Sequence, residues 1–137
     1  MFGQLRRTLE LAPDHVDALN YLGYSYAEQG INLDEAKKLI ERAVEIEPDS
    51  GYIRDSLGWV YYKKGMYNEA LVEIQTAVEI TKDDPVIFEH LGDIFLKLNN
   101  IEAAVEAWGK SLEFHEKEEG LKERVEKKIE DLKKGSQ

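Results

Sequence analysis

The chain has no cysteine among its 137 residues. Disulfides and cysteine-ligated metals are therefore excluded, and the redox compartment is left open. Cationic residues are scarce: 18 Lys plus Arg stand against 28 Asp plus Glu, for a formal net charge of −10. Phosphate backbones need a basic footprint, so nucleic acid is excluded as a partner, and an anionic membrane surface is disfavoured on the same ground. No apolar run approaches a membrane span, and Met1 to Ala12 holds no signal-length apolar stretch. Direct membrane insertion is not expected. Three histidines, His15, His90 and His115, are scattered. No H-E-x-x-H, phosphate-cradling glycine loop or nucleophile elbow accompanies them, so neither catalysis nor a cofactor is expected. Only three prolines occur.

What is present is helical and globular in composition. The chain is 34% charged and 42% hydrophobic, with Ala, Glu, Lys and Leu plentiful. It also repeats itself. Leu22-Gly23, Leu57-Gly58 and Leu91-Gly92 recur at intervals of 35 and 34 residues. Ala36, Ala70 and Ala104 recur every 34 residues, as do Ala43, Ala77 and Ser111. The extra residue falls in the turn around Gly30-Ile31-Asn32-Leu33. A period of this length marks stacked supersecondary units, none of which buries its apolar face alone.

Each unit reads as two helices. In the second, Asp49 or Ser50 is placed to cap a helix through Lys64, and Gly65 ends it. Ala70, Leu71, Ile74, Ala77 and Val78 then line one face of a helix from about Tyr67 to Thr81. In the third, Asp84 caps, Pro85 takes the first helical position, and Asn99-Asn100 makes the turn. Gly23, Gly58 and Gly92 lie inside helices, where glycine costs roughly 0.5–1 kcal/mol against alanine. Carried three times, that cost implies a close helix approach, with Ala36, Ala70 and Ala104 as the expected facing residues. Tyr26, Tyr61, Phe95 and Trp108 occupy core places.

This pattern resembles the tetratricopeptide repeat (TPR). The resemblance spans about residues 13–116 and rests on Leu19, Leu22, Gly23, Tyr26, Ala36, Ile40, Ala43 and Pro48 in the first unit. In the second it rests on Leu57, Gly58, Tyr61, Ala70, Ile74 and Ala77. In the third it rests on Phe88, Leu91, Gly92, Phe95, Ala104 and Trp108. Arg54, Ile40, Ile74, Ser111 and Lys82 depart from the family pattern without contradicting it. The implied fold is all-α, a right-handed α-solenoid of helix-turn-helix units. The expected organisation is the second helix of a truncated repeat over 1–12, then units over 13–48, 49–82 and 83–116. A capping helix and tail over 117–137 complete one solenoid domain. The cap is expected from Glu118 to Lys134, with Leu121, Val125, Ile129 and Leu132 on one face. Residues 4–13 align with the second half of a unit, so the chain is expected to be a fragment of a longer repeat protein. Its repeats are similar to bacterial ones, which allows a cytoplasmic or a periplasmic site.

The resemblance also implies a concave groove lined at five places of each first helix. The candidate residues are Asp17, Asn20 and Tyr24; Tyr52, Asp55, Trp59, Tyr62 and Lys63; and Glu89, Asp93 and Lys97. Ala27, Glu28, Val86 and Leu96 hold the remaining places. Tyr24, Tyr52, Trp59 and Tyr62 either contact a partner or pad the interface between units. Carboxylate-clamp TPRs, which grip acidic C-termini, place Lys and Asn at the fifth and ninth places; here those are Asn20/Tyr24, Asp55/Trp59 and Glu89/Asp93, so the clamp pattern is not kept. The acidic lining instead points to a basic or apolar protein or peptide segment, with self-association through open repeat ends as the alternative. Glu89, His90 and Asp93 share one helix and could hold a weak metal site; a solvated surface is the plainer reading.

Overall fold

The computed structural model describes residues 2–135. Among them every regular element is helical: α1 (Phe2–Leu11), α2 (Val16–Gln29), α3 (Leu33–Ile46), α4 (Gly51–Lys63), α5 (Tyr67–Ile80), α6 (Pro85–Lys97), α7 (Ile101–Glu113) and α8 (Leu121–Gly135). A single 3-10 turn, His115–Lys117, precedes α8. None of these helices is long and apolar enough to cross a membrane.

Local chemistry sets the boundaries. Ser50 Oγ accepts the Ile53 amide at 3.3 Å, and Asp84 Oδ1 accepts the amides of Val86 and Ile87 at 2.8 and 3.1 Å. Both are side-chain oxygens satisfying free N–H groups of a first turn. His15 plays the same part for α2, its Nδ1 accepting the Ala18 amide at 3.2 Å. Asn100 caps α7 through Ala103, after Asn99 turns the chain at φ 62°. The final helix starts at Leu121, three residues later than Glu118, because the 3-10 turn and Gly120 at φ 79° intervene.

The helices pair as α2–α3, α4–α5 and α6–α7, and each pair packs on the next through α3 on α4 and α5 on α6. α1 packs on α2, its Phe2 ring meeting Tyr26 edge-on at 4.9 Å. Tyr26, Ile40, Ile74, Ile94 and Trp108 are at most 1% exposed, so the core runs along the stack as three linked clusters.

The glycine contact differs from the expectation in its facing partner. A Cβ on Gly23 would lie 2.5 Å from the Ile40 side chain, one on Gly58 2.6 Å from Ile74, and one on Gly92 2.3 Å from Trp108. These larger residues, one helical turn past each alanine, seat on the glycines. Ala36 and Ala70 contribute backbone carbonyls at 3.1 and 3.2 Å. The alanines are small because their backbone, not their side chain, makes the approach. Ser111 departs from alanine with a reason: it is fully buried and donates to the Pro85 carbonyl at 2.7 Å. Arg54 likewise leaves its expected aromatic role to bond Pro48 O and Glu73 at 3.1 and 3.2 Å.

α8 stands where the first helix of another pair would follow, packed on α7 and α6. Its inner face buries Leu121 and Val125 completely. Adding 35 to Leu91, Gly92 and Phe95 gives Glu126, Lys127 and Glu130, all three exposed. The face that would receive a second helix is therefore charged and lacks the glycine contact. Glu130 pairs with Lys134 at 3.2 Å, and continuing the stack past α8 would bury all three charges, which is unfavourable.

Candidate functional site

The first helices α2, α4 and α6 align their fifth and ninth places along one surface, and the structure joins these side chains across pairs. Asp55 on α4 faces His90 on α6, with Oδ1 and Nδ1 2.8 Å apart. Trp59 lies between two rings: Tyr62 at 4.5 Å and 8° on one side, His90 at 4.0 Å and 19° on the other. Its Nε1–H donates to Glu28 Oε1 at 2.6 Å. Glu89 receives both arms of the Arg124 guanidinium at 2.7 Å and Lys128 Nζ at 2.7 Å. Lys128 also bonds both oxygens of Asp93 at 2.9 Å, and Asp93 Oδ1 accepts Trp108 Nε1–H at 3.2 Å.

This network corrects the picture of an open acidic groove. Asp55, Trp59, Glu89 and His90 are each below 10% exposed. Asp93 is half-buried. The carboxylates meet groups of the chain itself: Glu89 and Asp93 meet Arg124 and Lys128, which α8 presents, and Asp55 meets the His90 ring. The signal for this lies in the register, since Arg124 and Lys128 stand 35 residues after Glu89 and Asp93. The solvated-surface reading of Glu89, His90 and Asp93 is also corrected, since Glu89 and His90 are buried. Among the described residues no group of three such side chains is arranged to hold an ion; Glu89 and Asp93 are bonded by Lys128, and His90 by Asp55.

Charge states follow the contacts. Burial raises the Glu89 carboxyl, but Arg124 and Lys128 more than reverse this and hold it below the ordinary range. Asp93 is raised by its burial, against the pull of Lys128. Burial lowers His90, and Asp55, with Asp93 and Glu89 behind it, turns the net shift upward. The Tyr62 hydroxyl is pushed up to about 12 by burial first and Asp93 second. Tyr24 is raised further by burial and then by Glu28, Asp55 and Glu89.

The remaining candidates are distributed unevenly. Asp17, Tyr52, Lys63 and Lys97 are exposed, Tyr52 by 60%. Tyr24 and Asn20 are half-buried, and Asn20 Oδ1 is buried without a hydrogen-bond partner. Lys63 Nζ sits 5.4 Å from the Trp59 ring centre, within cation–π reach. Tyr24, Glu28, Trp59, Val86 and Glu118 line a cavity of about 410 Å³ whose far wall is Arg124 and Lys128 over Glu89.

The Lys128 contact is testable alone. Lys128→Ala should destabilise the chain by about 1–2 kcal/mol, because a charge-assisted hydrogen bond to a buried carboxylate is removed. Hydrogen exchange should show the α8 amides losing protection before those of α4. Equal protection across both helices would contradict this role.

Comparisons with known proteins agree with the helical-pair architecture. Family profiles described as tetratricopeptide repeat and TPR repeat match residues 3–51 and 58–99. A TPR repeat-containing protein of Pseudomonas aeruginosa is 36% identical over 89 residues, 65% of this chain and 15% of that one. The aspartyl/asparaginyl beta-hydroxylase of Mus musculus is 28% identical over 102 residues, 72% of this chain. The chain spans only 14% of that enzyme's length, so its activity does not carry over. A thermophilic TPR protein of Thermus thermophilus superposes with a TM-score of 0.79 at 18% identity, over 93% of this chain and 71% of that one. With the glycine-seated helix pairs, the stack and both profile matches agreeing, this chain belongs to the tetratricopeptide repeat family.

Proposed function

We propose that the chain is a non-catalytic scaffold that binds a segment of another protein along its concave face. Repeats of this family serve in general as protein–protein interaction scaffolds. The observation that carries the finer reading is the cavity of about 410 Å³ beside Tyr24 and Trp59. Aromatic side chains of this kind give large contact area at low entropic cost. The contacts available to a partner lie mainly on the first two pairs: Asp17, Asn20, Tyr24, Tyr52 and Lys63. On the third pair α8 covers Glu89 and Asp93, and Lys97 stays exposed. Self-assembly by extending the stack through α8 is opposed by the charged face described above.

The test is selection of binders from a displayed random peptide library by the full chain, followed by titration. Tyr24→Ala and Tyr52→Ala should each weaken the selected peptides about tenfold, the size of a modest hot spot. Val72→Ala, on exposed α5 surface, should leave affinity unchanged. If Val72→Ala weakens binding and the two tyrosine variants do not, the concave face is not the binding surface. Trp59→Ala is a poor probe, since it removes a ring that is 7% exposed and stacked on two others.

A further inference from the structure

Glu28 is exposed yet held in place. Trp59 Nε1–H donates to its Oε1 at 2.6 Å, and Trp59 is itself clamped between Tyr62 and His90. Among the described residues its second oxygen has no hydrogen-bond or ion-pair partner. Glu118, on the segment before α8, lines the same cavity and makes no side-chain hydrogen bond or ion pair there. The other charged groups around the cavity are matched by contacts: Arg124 and Lys128 meet Glu89 and Asp93, and Asp55 faces His90. Two carboxylates, Glu28 and Glu118, therefore have no hydrogen-bonded cation, beside the rings of Tyr24 and Trp59; Glu118 acts on Arg124 only through its field.

We propose that this cavity seats the side chain of an arginine from the partner segment, with Glu28 and Glu118 as the carboxylates that read it. The proposal rests on the concave-face reading above and adds the chemistry recognised. Guanidinium suits the place better than ammonium, because its plane lies flat on aromatic rings while its edge donates to carboxylates in two directions. The two-donor geometry occurs within the chain, where Arg124 donates two hydrogen bonds to Glu89, each 2.7 Å long. Potential at the cavity agrees: the Tyr24 hydroxyl is raised by burial and by three carboxylates, against which only Arg124 acts.

The experiment titrates the full chain with hexaarginine and with hexacitrulline, its uncharged isostere, and follows the two indole N–H resonances by NMR. Trp59 and Trp108 are the only tryptophans, and Trp59→Phe assigns them. Hexaarginine should move the Trp59 resonance saturably, and hexacitrulline should not. Glu28→Gln keeps an oxygen for the indole, so the free resonance should stay in place while hexaarginine affinity falls about tenfold, the effect of one charge-assisted hydrogen bond. Glu102→Gln, an exposed acid on α7, should leave affinity unchanged. Equal affinity in Glu28→Gln and wild type, or binding that leaves the Trp59 resonance unmoved, overturns the proposal. The two readings fail separately. Library peptides that lose affinity in Tyr24→Ala but carry no arginine and ignore Glu28→Gln would overturn the arginine cavity and keep the concave face. Peptides that ignore Tyr24→Ala and Tyr52→Ala count against the face itself.

Discussion

Asp55→Ala should cost the folded chain about 3–5 kcal/mol at mildly acidic pH, the scale for leaving a buried charge without its partner. The charge in question is the His90 imidazolium, buried against Trp59 and 2.8 Å from Asp55. The pH dependence distinguishes this from a simple packing loss. In the wild type the His90 pKa is raised above its ordinary 6.5. Such a group stabilises fully below its unfolded pKa, and the contribution is lost as pH rises through the folded value. In Asp55→Ala burial alone acts most strongly on the ring, and burial favours the neutral form. The variant therefore gains stability over the same rise. Urea denaturation between about pH 5.5 and about pH 8.5 should show the gap between wild type and variant narrowing as pH increases. Glu89, held low, contributes on the acid side of this window, and both chains share it along with Asp93, Arg124 and Lys128. A gap that is constant across the window would mean that His90 is neutral throughout and that the Asp55 contact is an ordinary hydrogen bond.

The same pair explains how far the sequence could be read. The helices were legible because a spacing of 34 or 35 residues repeats Leu-Gly and alanine places, and a helix boundary depends on local groups such as Ser50, Asp84 and Gly65. The family followed from the same places. Partners one pair away were harder. Glu89 and Asp93 look like free groove acids until Arg124 and Lys128 are read at the same places of the next first helix. His90 is one place further on than Asp55, so a strict place-by-place alignment sets it opposite Ser56 and hides the contact. Trp59 reads either as a partner contact or as padding between units, because the family core does not require a ring there. Its stacking on Tyr62 is an i, i+3 contact within α4, but the stacking on His90 of α6 depends on the angle between pairs, which no spacing encodes. Glu28 gains its standing the same way, from an indole 31 residues later.

Substituting the helical glycines should separate close approach from helix propensity, because they sit in one type of secondary structure with different neighbours. Alanine is favoured over glycine in a helix by about 0.5–1 kcal/mol. At Gly109 on α7 nothing lies within 4 Å of a Cβ, so Gly109→Ala should stabilise the chain by that amount. At Gly58 the new methyl meets the end of the Ile74 side chain at 2.6 Å. The Ile74 torsions relieve part of this, with the Ala70 carbonyl 3.2 Å away fixed, so the clash outweighs the propensity gain and leaves a net loss of about 1 kcal/mol. Gly92 is different. Its Cβ would stand 2.3 Å from Cδ1 and Nε1 of Trp108, an aromatic ring that is 1% exposed. The ring cannot bend, and swinging it away breaks the Nε1–H bond to Asp93 and opens a gap beneath Leu121 and Val125 in the same cluster. Gly92→Ala should therefore cost about 2–3 kcal/mol net of the propensity gain. Melting temperatures should rank Gly109→Ala above wild type, then Gly58→Ala, then Gly92→Ala. A Gly92→Ala variant as stable as wild type would show that Trp108 has room to retreat, and the recurring glycine would need another cause.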